Sequence, residues 1–150
     1  MTIKYFPRGT HFNGPIKLGA PSMLLSTDQV GGFTAAKTLS VAESNGQHYI
    51  LDHSAGFTIT LPPPTQGWTC KFTVGTAFAT TNYVFTAGTA DTFEGSLMVA
   101  GAVVDIDASD IITLPADKEN VGDYIEFWSD GTSTFTYGNF LTAAAAAGTG

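Results

Sequence analysis

The stretch from Val30 to Gly75 constrains this chain most, because nearly every residue in it is strand or turn chemistry. Two apolar alternations, His48-Tyr49-Ile50-Leu51 and Phe57-Thr58-Ile59-Thr60-Leu61, flank a turn at Ser54-Ala55-Gly56. Pro62-Pro63-Pro64 then stops the second alternation, since proline has no N–H to give a sheet ladder. A third alternation starts at Trp68 and runs to Val74. The segment predicts a small sheet and arranges no reactive group for chemistry. It points away from an enzyme and toward a scaffold or binding surface.

Strand-like alternations continue at short spacing near 38–42, 47–52, 57–61, 69–75, 82–87, 92–99, 101–106, 110–114, 122–129 and 133–140. Turn residues separate them, among them Ser44-Asn45-Gly46, Ala108-Ser109-Asp110 and Ser129-Asp130-Gly131. The rhythm predicts an all-β fold, a single β-sandwich or jelly-roll-like domain over residues 35–141. Composition agrees: 22 threonines and 11 phenylalanines favour strands, 17 glycines favour turns, and only 13% of residues are charged. In the surest hairpin Tyr124, Glu126 and Trp128 face one way, Ile125 and Phe127 the other, and Phe135 and Tyr137 follow the turn outward. No repeat of fixed period is present, which argues against a solenoid.

Residues 1–34 read differently. Pro7, Gly9, Gly14, Pro15, Gly19, Pro21, Gly31 and Gly32 interrupt any helix or long strand. Tyr5, Phe6, Phe12, Ile16 and Leu18 are nevertheless apolar, unlike the residues of a solvated linker. An extended N-terminal arm that lies along a surface is expected, preferably on a neighbouring subunit. Lys4, Arg8 and Lys17 outweigh Asp28 there, a balance of +2, whereas residues 35–150 hold three lysines against twelve acids, a balance of −9. At the other end, residues 142–150 are Thr142, five alanines and Gly-Thr-Gly, too short to nucleate a helix. A flexible tail is expected.

The net charge of −7 disfavours nucleic acid, which needs clustered lysine and arginine. No apolar run approaches a membrane span, and the first residues lack a secretory h-region. Synthesis in a cytoplasm is expected. Cys70 sits in a strand alternation and reads as a small core residue. Zinc needs three or four convergent ligands, and His48 and His53 fall on opposite faces of a continuous strand. Asp105, Asp107 and Asp110 lack the glycine and closing glutamate of a calcium loop and read as solvated strand and turn residues. Asp52-His53-Ser54 are adjacent in an extended chain and cannot form a nucleophile relay. No metal or cofactor is expected. Trp68, Trp128, Tyr83, Tyr124 and Tyr137 remain as aromatics able to stack on sugar rings.

One resemblance stands beside this reading. Thr38-Leu39, Glu43-Ser44-Asn45-Gly46, Ile50-Leu51-Asp52, Ala55-Gly56-Phe57-Thr58-Ile59-Thr60-Leu61-Pro62, Gly67 and Lys71-Phe72 together resemble a β-module of tailed-bacteriophage virion proteins. Gly122 to Thr132 is similar to the closing hairpin of such modules. The resemblance covers about residues 37–137 and implies a β-rich, trimeric virion component with no catalytic residues. It is found in capsid decoration (cement) proteins and in fibre-associated domains. The absence of heptads and of a repetitive shaft favours decoration. The expected partners are then the major capsid protein and sister subunits, and the expected location is the capsid surface. The arm would grip the shell through Lys4, Tyr5, Phe6, Arg8, Phe12, Ile16, Lys17 and Leu18. The alternative is a receptor- or glycan-binding fibre domain with Trp68 or Trp128 exposed.

Overall fold

The computed structural model describes residues 32–88, 91–143 and 146–149. Eleven strands and one helical turn are formed among them: β1 (Lys37–Thr38), α1 (Val41–Ser44), β2 (Gln47–Leu51), β3 (Thr58–Thr60), β4 (Thr69–Val74), β5 (Tyr83–Thr86), β6 (Phe93–Val99), β7 (Ala102–Ser109), β8 (Ile111–Leu114), β9 (Tyr124–Ser129), β10 (Thr134–Phe140) and β11 (Ala147–Thr149). They make a five-stranded sheet, β1-β3-β5-β8-β11, and a six-stranded sheet, β2-β4-β9-β10-β6-β7. The two sheets pack face to face as a single β-sandwich.

From β1 to β6 every strand lies in the sheet opposite its predecessor. Strands two apart therefore run the same way. β1 pairs β3, β3 pairs β5 and β2 pairs β4, all in parallel. The stretch around the triple proline thus does not build a small sheet of its own. β2 and β4 are neighbours in one layer, and β3 is in the other. Pro62-Pro63-Pro64 carries the chain across, its missing N–H groups being harmless where no ladder runs. From β6 onward hairpins dominate: β6 with β7 and β9 with β10 are antiparallel, although β10 also pairs β6 in parallel. Both sheets are consequently mixed.

Alternation along the strands fills the space between layers. Tyr49, Leu51, Cys70, Phe72, Ile125, Phe127, Phe93 and Leu97 point inward from one sheet, and Ile59, Tyr83, Phe85, Ile112 and Leu114 from the other. The centre is aromatic. Phe72 meets Phe85 across the layers at 4.8 Å between ring centroids, Phe85 meets Phe127 at 5.2 Å, and Phe127 meets Phe93 at 5.3 Å. Such tilted pairs add about 0.5–1.5 kcal/mol each beyond the area they bury.

Three expectations need correction. Residues 41–44 form a helical turn that replaces the end of the strand expected at 38–42, because the Ser44 hydroxyl donates to the Ser40 carbonyl at 2.6 Å and tightens the turn. Phe33, assigned to the arm, is a core residue whose ring lies 5.0 Å from Tyr49 and 6.1 Å from Phe72. The tail is not free where it is described: β11 extends the five-stranded sheet by pairing with β8, with Ala147 opposite Thr113 and Thr149 opposite Ile111. Gly148 permits this close approach, since a Cβ there would strike the Ile106 side chain.

Candidate functional site

Register across the six-stranded sheet sets one row of outward side chains: His48, Lys71, Glu126, Tyr137, Ser96 and Asp105. Lys71 Nζ donates to Glu126 Oε1 at 2.7 Å and also sits 4.2 Å from the Tyr124 ring centroid. Both charges of that pair are therefore engaged. His48 Nε2 lies 2.8 Å from Thr73 Oγ1. Partial burial, reinforced by the Lys71 charge and opposed by Glu126, holds the imidazole below its ordinary value, so it is neutral at pH 7.

Beside this row the aromatics come together. Trp128, 48% exposed, stacks on Phe135 at 4.2 Å with planes only 18° apart. Tyr124 and Tyr137 lie 6.4 Å apart on the same face. Trp128 is opposite Phe135 on β10 and opposite Thr69 on β4, so Phe135 covers one side of the indole. The other side borders an open cleft of about 440 Å³ lined by Gly46, Gln47, His48, Thr69, Lys71 and Glu126. Cys70 and Phe127 also line it, and as both point into the core, with Gln47 opposite Cys70 in the same phase, these three contribute backbone to its floor.

The aromatic candidates therefore divide. Trp68 and Tyr83 are core residues, and only Trp128, Tyr124 and Tyr137 reach the outer face. The strand ends decide this for Trp68: its indole nitrogen donates to the buried Ser44 hydroxyl at 3.0 Å. Phe135, Lys71, Glu126 and Thr69 were not singled out as site residues. Their outward phase is readable in β4, β9 and β10 separately, but no local signal says that those strands are neighbours.

The remaining candidates are held in structural roles. Burial pushes the Cys70 thiol up to about 12, which leaves it un-ionised and unreactive at neutral pH. His53 Nδ1 accepts the Ala55 N–H at 3.0 Å, and its ring lies 5.0 Å from Phe57. Asp105, Asp107 and Asp110 are exposed along β7 and its turn. Among the described residues no group of three or more histidine, cysteine or acidic side chains converges as a metal site. No described helix is long and apolar enough to cross a membrane. Lys4, Tyr5, Phe6, Arg8, Phe12, Ile16, Lys17 and Leu18 lie outside the described residues, as does His11.

A second surface forms at one end of the sandwich. The end of β2, the end of β4, the start of β9, the end of β10 and the β6–β7 turn all meet there. Three of the most exposed large apolar side chains emerge at this end: Val103 (68%), Val121 (66%) and Leu141 (70%). The buried Asp123 carboxylate fixes it, accepting the Asn120 N–H at 2.8 Å and the Leu141 N–H at 3.1 Å. Gly32 is packed against Asp52 at the same end, so closely that a Cβ would overlap the carboxylate. Gly32 thus lies at this end of the sandwich, at the β2 edge, while the Trp128 cleft is toward the opposite end.

No protein-family model matches the chain, and no curated protein and no solved structure is similar to it.

Proposed function

We propose that this chain is a structural protein of a tailed-bacteriophage virion, a capsid decoration subunit that binds the outer surface of the head. The observation that carries the reading is that Gly32, at the β2 edge, and exposed Val121, Leu141 and Val103, spread across to the β7 edge, all lie at the same end of the sandwich. Exposed apolar side chains along the end from which a grip emerges suit a covered contact. Phe33, wedged against Tyr49 and Phe72, transmits any pull on the arm directly to the core. In this reading the arm residues Lys4 to Leu18 engage the major capsid protein or a sister subunit of a trimer, and the apolar end seats against the shell. A subunit that binds only the expanded shell shifts the equilibrium toward that shell and stabilises it. The function is mechanical and uses no catalytic group or cofactor.

The test has two parts. Gold-labelled antibody against this protein should decorate the heads of the particles produced with it. Deleting residues 1–25, or changing Val121 and Leu141 together to Asp, should abolish co-sedimentation with shells while the domain stays folded. Label confined to the tail would replace this reading with the fibre alternative. Shell binding retained by both variants would overturn the docking geometry.

A further inference from the structure

We infer that the cleft between β2, β4 and β9, walled by Trp128, is a binding site for a neutral saccharide. The apolar wall is rigid, because Phe135 stacks on one side of the indole at 4.2 Å and leaves the other side toward the cleft. A flat, supported ring of this kind suits the C–H face of a pyranose, burying apolar surface with almost no loss of side-chain freedom.

The rim supplies what sugar hydroxyls need. His48, Thr69, Lys71 and Glu126 present donors and acceptors side by side, and all stand on strands. Each hydroxyl both donates and accepts, so a mixed rim can satisfy several at once. The cleft's volume of about 440 Å³ lies within the range of small-ligand sites. At its mouth Gly46 adopts φ +73°, with open space where a Cβ would be, which keeps the entrance clear.

Charge chooses the ligand class. The cation of the cleft, Lys71, is paired with Glu126 at 2.7 Å, and His48 is held neutral. The site therefore presents no net positive field to a sialic or uronic acid, a phosphate or a nucleic acid, and the chain as a whole is acidic. The site also lies away from the end that holds Gly32, so it stays open when that end is covered. It does not depend on the decoration reading.

Tryptophan fluorescence of the full chain tests this directly, since Trp68 is buried and Trp128 is exposed. The probes are neutral oligosaccharides of glucose, galactose, mannose and N-acetylglucosamine, with sialyllactose and a galacturonate oligomer as acidic counterparts. At least one neutral probe should shield Trp128 from acrylamide quenching in a saturable way. Trp128→Ala and, separately, Thr69→Ala should each weaken binding of that probe, measured by calorimetry, at least tenfold and about threefold, with melting curves reporting folding. Quenching unchanged by every neutral probe would overturn the inference. So would stronger protection by the acidic sugars, or affinity retained by both variants.

Discussion

The indole nitrogen of Trp68 donates to the hydroxyl of Ser44 at 3.0 Å, and that hydroxyl donates in turn to the Ser40 carbonyl at 2.6 Å. Both residues are buried, so one short chain of hydrogen bonds ties the helical turn α1 to the head of β4. It also takes Trp68 out of contention as a surface ligand platform.

Removing the middle of that chain should be costly. Ser44→Ala leaves a buried indole N–H without its acceptor, and the expected loss is about 1–3 kcal/mol. Urea unfolding would read it as a lower midpoint with an unchanged slope. A loss below a few tenths of a kcal/mol would mean that water replaces the hydroxyl.

Tyr83 should behave in the opposite way. Its hydroxyl is buried and hydrogen-bonds no atom among the described residues; the His53 backbone is near enough to ease the cost but not in bonding geometry. Tyr83→Phe removes an unsatisfied polar atom from a well-packed site. Stability should hold or rise by up to about 1 kcal/mol. A clear fall in the melting temperature would reveal a bonded water.

Alkali should unfold this protein through its core. Burial raises Cys70 from 9.0 to about 12, and burial also raises Tyr49 and Tyr83 from 10.0 to about 12. The folded state then holds these protons when the unfolded chain has released them. Their contribution is complete below about pH 9 and is lost as pH climbs toward 12, at up to about 1.4 kcal/mol per pH unit for each group. Urea midpoints from pH 7 to 11 should be flat and then fall, and Cys70→Val should make the fall shallower. An identical profile in that variant would remove Cys70 from the account.

The C-terminus offers a sharper test of the fold. Deleting residues 146–150 removes β11 and the buried Ala146, and turns β8 into an unprotected edge. Such an edge exposes a row of backbone donors and acceptors. The truncated chain should melt several degrees lower and aggregate on heating. Unchanged melting would restore the flexible tail expected from composition.

Glycine at position 95 should prove irreplaceable. It holds φ at +134°, and a Cβ there would strike the Thr136 carbonyl of the paired strand, which is backbone and cannot move aside. Gly95→Ala should cost more than the roughly 1 kcal/mol of an ordinary strand substitution. Loss of soluble protein, or a much lower midpoint in urea, is the expected result.

Much of this protein was determined by sequence alone. Alternation put Cys70, Ile125 and Phe127 inside, turned Trp128, Phe135 and Tyr137 out of the last hairpin, and made the domain all-β. These are properties of a two-residue period, which each strand carries by itself. Tertiary structure alone decided which strands are neighbours. No local pattern tells that β3 crosses to the other layer, or that β2 and β4 pair in parallel, because a two-residue period says which face a side chain takes and not which strand will lie beside it. The same reason hid the cleft, whose His48, Lys71 and Glu126 come from three strands. It hid β11 as well, since an alanine-rich segment has little strand preference until the open edge of β8 supplies its partners.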